Sequence, residues 1–397
     1  MASLYVKPRS RLFHGHCWVY QSDVSHMVGD AQPGDVVTLK DRNARPIGSA
    51  IYNPKSQIVA RRFSHQKFDL DQEFFVRRLK RALSLRERLF AEPVYRLVWS
   101  ESDGLPGLIV DRYGDHCVVQ TLTLAMDQRK PLIAAALAEV IAPRSIIERN
   151  DAPIRQAEGL ELTTGVLAGE APAPFQVTTA HGVFTVDLRG GQKTGLYLDQ
   201  LDNYAAVAAL AKDKRVLDVF CNQGGFALAC AKAGATSVLG VDASESAIAA
   251  AKANAEATGV AATCRFEAAN AFDFLKAAEQ AATAQPEASA PYDIIVLDPP
   301  SFTRNKGSLK DAMRGYKEIH LRALKLLRPG GLLSTYSCSH HVSRDDFSEM
   351  IIDAATDARR TLRLVSFHSQ RRDHPILAGI PETEYLKGFT WEVIGAW

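Results

Sequence analysis

The sequence predicts an α/β protein: a doubly wound, mostly parallel sheet in the C-terminal half, preceded by a small β-barrel and an α+β segment. Three observations carry this. From residue 190 onward apolar strand-like runs alternate with helical ones, the order of a parallel sheet with right-handed crossovers. Within that region, residues 215–226 read as strand, tight loop with paired glycines and helix, and the next strand, 237–241, ends in Asp242. Residues 1 to about 68 instead hold short alternating runs at 34–40, 46–52 and 58–63, with Asp41-Arg42-Asn43 and Asn53-Pro54 as turns.

With 397 residues, two or three domains are expected, and we divide the chain at 1–68, 69–189 and 190–397. The net charge of +2 is too small to indicate a partner. Its distribution says more: residues 1–67 carry ten Lys and Arg against four Asp, which makes this β-module a candidate polyanion surface. It resembles the PUA domain, an RNA-binding fold. Six cysteines (17, 117, 221, 230, 264 and 338) include no C-x-x-C pair, so neither a metal site nor a secreted disulfide network is expected. No run of ~18 apolar residues and no signal-like start occurs, so a reduced cytoplasmic enzyme without membrane contact is expected.

In the second segment, 68–90 is helical with Phe75, Leu79, Leu83 and Leu89 near one face. A hairpin (105–113 and 116–121), a helix (128–140), a strand (145–148) and two further strand-like runs (175–179 and 183–188) complete an α+β unit in which no chemistry is visible. Beyond it, 244–258 is a helix capped by Ser244, 263–267 a strand, and the Ala/Gln/Pro-rich 277–291 a loose surface connection. Residues 307–327 are helical, 332–336 form the fifth strand, and 343–355 the next helix. Runs at 362–367 and 389–394 suit an antiparallel edge hairpin.

The loop after the first strand is built for a ligand. Gly224 and Gly225 let the backbone approach a bound molecule, and the helix that follows presents its N-terminus. Asp242 lies 24 residues after Asp218, close to the ~20 residues at which an acidic side chain meets the ribose hydroxyls of a nucleoside-bearing cofactor. Phe220 and Asn222 stand where the dinucleotide fingerprint has its first two glycines. Downstream, 293–297 form a strand ending in Asp298-Pro299-Pro300, so Asp218, Asp242 and Asp298 should face one crevice at the strands' C-terminal ends. Together these residues resemble the Rossmann-like class I methyltransferases, which implies S-adenosylmethionine as cofactor.

Cys338 follows the fifth strand in Thr335-Tyr336-Ser337-Cys338-Ser339, at the same sheet edge. Carbon-5 of a pyrimidine is a poor nucleophile, and adding a thiolate at carbon-6 activates it for methyl transfer. We therefore assign Cys338 as the nucleophile; an idle buried thiol is the competing reading. Asp298 is expected to hold the base by its N3/N4 edge. Ser301 stands where amino-group methyltransferases carry an aromatic, which argues against amino methylation. In the segment 190–200, Lys193 is a candidate to neutralise the cofactor carboxylate or tune the thiol, and Thr194 to donate a hydrogen bond. His340 and His341 are adjacent candidates for tuning, or for helix capping.

Motifs along essentially the whole chain resemble the 23S ribosomal RNA large-subunit methyltransferase I family of cytosine-C5 enzymes. They are residues 101–107 (Glu-Ser-Asp-Gly-Leu-Pro-Gly), 192–195, 298–300, 314–317, 337–339, 373–375 and 385–388. The resemblance implies 23S ribosomal RNA as substrate, with Cys338 and Asp298 catalytic. It places the cofactor on Lys193, Thr194, Asp218, Phe220, Asn222, Gly224, Gly225, Asp242, Ala243, Asn270 and Ala271. Asn270 replaces an acidic residue of the family, and Ser301 stands in place of a second cysteine, which leaves the group that releases the adduct open. An amino- or ring-nitrogen methyltransferase acting on guanine or adenine, a non-catalytic RNA-binding assembly factor, and a homodimer all remain open alternatives.

Overall fold

The computed structural model describes residues 1–397 except 9, 192–193, 285–289, 303–306, 308 and 395–397. Two compact units result, one of Met1–Val177, Val186–Leu198 and Arg372–Thr383, the other of Thr178–Thr185, Asp199–Arg371 and Glu384–Trp397.

In the first unit, β1 (Ser3–Val6), β2 (Trp18–Tyr20), β3 (Val24–Val28), β4 (Val36–Lys40), β5 (Pro46–Tyr52) and β6 (Ile58–Ser64) form a sheet in the order β2-β6-β5-β4-β1-β3. Its two end strands, β2 and β3, are joined by a single short turn, Gln21–Asp23, which curls the sheet toward a barrel. Next comes α1 (Gln72–Leu89), started by Asp71, whose carboxylate accepts from the Phe74 N–H at 2.8 Å. A second sheet, in the order β11-β10-β9-β8-β7, comprises β7 (Val94–Trp99), β8 (Leu108–Tyr113), β9 (His116–Thr121), β10 (Ser145–Asn150) and β11 (Thr163–Gly169). The helices α2 (Leu124–Asp127) and α3 (Lys130–Ile141) lie between β9 and β10 in the chain. Packing does not break at residue 68. Val36, Ile51 and Phe63 share one apolar core with Phe74, Leu79, Leu97 and Ile133.

Arg86 shows what the 101–107 and 373–375 motifs do here. It is fully buried, grips Asp103 with two nitrogens (2.6 and 2.8 Å) and donates to the Asp373 carbonyl at 2.7 Å. A buried arginine needs such a full set of acceptors, so these motifs bind the unit together.

The second unit opens with the part of the hairpin β12 (Phe175–Thr179) and β13 (Gly182–Val186) that packs on it. Its main sheet has seven strands: β14 (Arg215–Val219), β15 (Ser237–Asp242), β16 (Cys264–Ala268), β17 (Tyr292–Leu297), β18 (Leu327–Ser337), β19 (Leu362–Ser369) and β20 (Lys387–Val393). The order is β16-β15-β14-β17-β18-β20-β19, parallel up to β18, with β20 antiparallel to both its neighbours. Helix α4 (Leu201–Ala208) precedes β14, and α5 (Gly225–Lys232), α6 (Glu245–Thr258), α7 (Ala271–Ala284), α8 (Leu309–Leu326) and α9 (Arg344–Asp357) connect the strands. The buried runs Leu217, Val219, Ile295, Leu297 and Leu333 form its core.

One expectation needs correction. The connection expected at 277–291 is helical to Ala284, because its alanines have the highest helix propensity and Glu279 is anchored by Arg322 and Lys325 at 2.7 and 2.6 Å.

His320 ties α8 to β18. Its ring nitrogens meet the Tyr316 carbonyl at 2.6 Å and the Thr335 hydroxyl at 2.7 Å, and burial pulls its pKa down to about 4. The unfolded value is ~6.5, so the stability tied to the neutral ring is present above that pH and lost as pH falls toward 4, on the order of 3 kcal/mol in all. Urea midpoints should fall across this window, and His320→Gln should flatten the fall. An acid dependence identical in the two proteins would contradict this.

Candidate active site

Strand register fixes the positions of the candidate groups. β14 pairs with β17 so that Asp218 faces Val296, and β17 pairs with β18 so that Leu297 faces Thr335. Asp298 therefore stands one residue beyond β17, Cys338 one beyond β18, and Asp242 ends β15. These are all C-terminal ends of parallel strands, hence one rim. The Asp298 and Asp242 charges act on Asp218, so the three carboxylates gather as expected.

The loop from Phe220 to Gly224 keeps a glycine's backbone without the glycines. Phe220 (φ 65°) and Asn222 (φ 48°) both lie in the left-handed region, as does Gly224 (φ 87°) at the N-terminal cap of α5. Asparagine tolerates this; for phenylalanine it costs roughly 1–2 kcal/mol. The conformation is held from β15: the Asn222 N–H donates to Asp242 Oδ2 and the Ser244 N–H to Asp242 Oδ1, each at 2.9 Å. Gly225 is small for another reason. A Cβ there would come within 2.2 Å of the Tyr204 ring, so that glycine serves packing.

Asp218 is buried, with Oδ2 accepting the Ala227 N–H at 3.0 Å. Its Oδ1 has no hydrogen-bond partner among the described residues, and neither has the buried Tyr336 hydroxyl. Burial, reinforced by Asp298 and Asp242, pushes the Asp218 carboxyl well above its ordinary range. Orphaned buried polar atoms beside a strand-loop-helix turn are what a polar ligand would satisfy. Asp242 fits the ribose role, since each of its oxygens takes one N–H and keeps a second lone pair.

On the other side, Cys338 is partly exposed. The serines flanking it are held from behind: the Tyr316 hydroxyl lies 3.3 Å from Ser337 Oγ and 3.1 Å from Ser339 Oγ. Ser339 Oγ in turn meets Ser301 Oγ at 2.8 Å, which links the cysteine loop to the segment after Asp298-Pro299-Pro300. Asp298 Oδ2 accepts from Gln200 Nε2 at 3.0 Å.

The remaining candidates fall as follows. Ala243 is exposed and Ala271 buried, beside the ends of β15 and β16. Asn270 accepts from the Phe272 N–H at 2.9 Å and so starts α7. Lys193 lies outside the described residues, whereas Thr194 belongs to the first unit, where its hydroxyl donates to buried Asp111 at 2.5 Å. His340 is not a helix cap; Ser343 is, and His340 rests against Tyr385 with ring centroids 5.9 Å apart. Sequence reasoning passed over Gln200, Tyr316 and Lys387. The last donates to the Ser339 carbonyl at 2.6 Å, and its only signal was its place in the 385–388 motif.

Among the described residues no cluster of His, Cys, Asp or Glu is arranged to hold a metal, and no helix is long and apolar enough to cross a membrane. An open cavity of about 710 Å³ in the first unit, beside Glu148, Arg149 and Arg189, contains none of the candidate groups.

Residues 6–65 match the family model of a PUA-like domain, and residues 210–378 that of a methyltransferase domain. The chain is 38% identical over 389 residues to the ribosomal RNA large subunit methyltransferase I of Erwinia tasmaniensis, covering 96% of each protein. It is 38% identical over 408 residues to the protein of that name from Vibrio vulnificus, covering 99% of this chain and 100% of the relative. A candidate SAM-dependent methyltransferase from Streptococcus mutans shares the fold with a TM-score of 0.82 at 23% identity, covering 99% of this chain and 100% of that one. A candidate methyltransferase solved in complex with SAH does so with a TM-score of 0.83 at 23% identity and the same coverage.

Asp218 provides a test of the crevice. Its folded-state pKa stands above the unfolded value, so its stability contribution is complete below the unfolded carboxylate range and is lost as pH rises through the folded value. Without cofactor, Asp218→Asn should therefore be more stable than the wild type at pH ~7, by about 1–3 kcal/mol, the gap closing toward pH ~4. A urea midpoint below that of the wild type at neutral pH would contradict this.

Proposed function

Because the chain belongs to the ribosomal RNA large subunit methyltransferase I family, we propose that it methylates carbon-5 of a cytosine in 23S ribosomal RNA, using S-adenosylmethionine and the Cys338 thiol. The observation that carries the reading is the convergence of Cys338 and Asp298 at one rim, their loops joined by the Ser301–Ser339 hydrogen bond.

S-adenosylmethionine supplies an electrophilic methyl group. Asp242 would bind its ribose hydroxyls, Asp218 and the Phe220–Gly224 turn its amino-acid end, and Asn270 and Ala271 would border the adenine. Asp298, oriented by Gln200, would hold the cytosine N3/N4 edge and stabilise positive charge on the ring as sulfur adds. Cys338 attacks carbon-6, which raises the electron density at carbon-5. Tyr316 keeps the two serines beside the thiol in place, so the sulfur is presented rather than packed away. The basic residues of the PUA-like module supply non-specific attraction for the RNA backbone.

Two measurements test this. Cys338→Ala should abolish methylation while leaving cofactor binding intact; full activity in that variant would favour methylation of a ring or amino nitrogen. Asp242→Ala should weaken cofactor affinity by ~1–3 kcal/mol for the lost charge-assisted hydrogen bonds; unchanged affinity in a titration would remove Asp242 from the ribose site.

A further inference from the structure

We infer that Lys387 is the general base that takes the proton from the Cys338 thiol as the sulfur attacks, an assignment that rests on the cytosine reading above. Strand β20 lies between β18 and β19 and pairs antiparallel with both, so Lys387 lies opposite Ser337, with Ser369 of β19 on its other side. From there its side chain runs inward: the residue is 5% exposed, and Nζ reaches the Ser339 carbonyl. The amine thus starts beside the residue before Cys338 and ends on the residue after it.

A lysine so deeply buried would ordinarily be matched by a carboxylate. Among the described residues none lies within ion-pair distance of Nζ, and Glu384, whose charge does reach it, is bonded to Arg344 at 2.7 Å. The other titratable and charged groups around it are Cys338 and His340 in the loop after β18 and Arg344 on α9. Burial is the largest influence and pulls the amine down to about 8, against the opposing effects of Cys338 and Glu384. An amine that is partly neutral near physiological pH, with one hydrogen on a carbonyl and a lone pair to spare, is suited to accept a proton from a neighbouring thiol.

The step balances. The S–H bond breaks and an N–H bond forms at Nζ; a sulfur lone pair makes the C6–S bond, and the C5–C6 π pair moves to carbon-5, which takes the methyl group as the donor's sulfonium–methyl bond breaks and leaves its pair on the donor's sulfur. Later the C5–H bond breaks and its pair restores the ring double bond. In the same elimination sulfur departs with the C6–S pair and recovers the proton from Nζ, and the C5 proton passes to solvent.

The alternative is that Lys387 acts only as a fixed positive charge that stabilises the thiolate. Arginine separates the two, because it keeps the charge and cannot accept the proton. The experiment measures the rate of covalent adduct formation with RNA containing 5-fluorocytidine, with S-adenosylmethionine present, for the wild type, Lys387→Arg and Lys387→Met from pH 6.5 to 10. For the wild type the rate should rise with pH and level off above about 8. Both variants should be slower by about 10²-fold or more at pH ~7 and should recover at high pH, as the thiol ionises unaided. That recovery is a readout a folding defect would not give. Lys387→Arg reacting within threefold of the wild type at pH 7 overturns the general-base role and leaves the cytosine reading standing. A wild type that forms no adduct at any pH overturns both.

Discussion

The structure depends on the register between β14, β17 and β18. Parallel pairing of Val216 with Ile294 and of Ile294 with Leu332 aligns three strand ends, and everything chemical follows from where they stop. A shift of one residue in either pair would turn Asp298 or Cys338 to the opposite face, since side chains alternate along a strand. The register is fixed by burial on both faces: Leu217, Ile295 and Leu333 are inaccessible on one, as are Asp218, Val296 and Ser334 on the other. His320 adds a polar pin, joining α8 to Thr335 three residues before the cysteine.

Around this rim the protein holds conformations and ionisation states that cost free energy. A phenylalanine in the left-handed region and, among the described residues, an acid with an unpartnered oxygen and a buried lysine without an ion pair all occur at this one rim. In the first unit, by contrast, Arg86 grips Asp103 and Arg96 grips Asp111, each with two nitrogens. At this rim a bound ligand can relieve such strain and satisfy such unpaired groups.

Much of this was legible in the sequence. Alternating strands and helices, the Asp218 to Asp242 spacing and the carboxylate before two prolines located the sheet and its rim, because they are short-range patterns with short-range causes. What was not legible depends on contacts distant in the chain. Thr194 reads as a cofactor donor until its hydroxyl is seen to donate its hydrogen bond to Asp111, 83 residues earlier. Strand β11 escaped detection because six of its seven residues are exposed, so no alternation marks it, and β1 and β2 are too short for a period. Lys387 stood only in the 385–388 motif, outside the strand-like run at 389–394, and its antiparallel pairing with β18 is what carries it to the cysteine. Gly225 was legible as a glycine but not for its reason, which is the Tyr204 ring.

The central claim is that the rim directs a methyl group to carbon-5 of a cytosine. It is tested most directly with ribosomal RNA carrying tritium at carbon-5 of its cytosines, by following methyl incorporation and tritium release into water together. The account predicts one tritium released for each methyl transferred, since the new carbon–carbon bond displaces that hydrogen. Methyl incorporation with the tritium fully retained would place the reaction on another atom and contradict it.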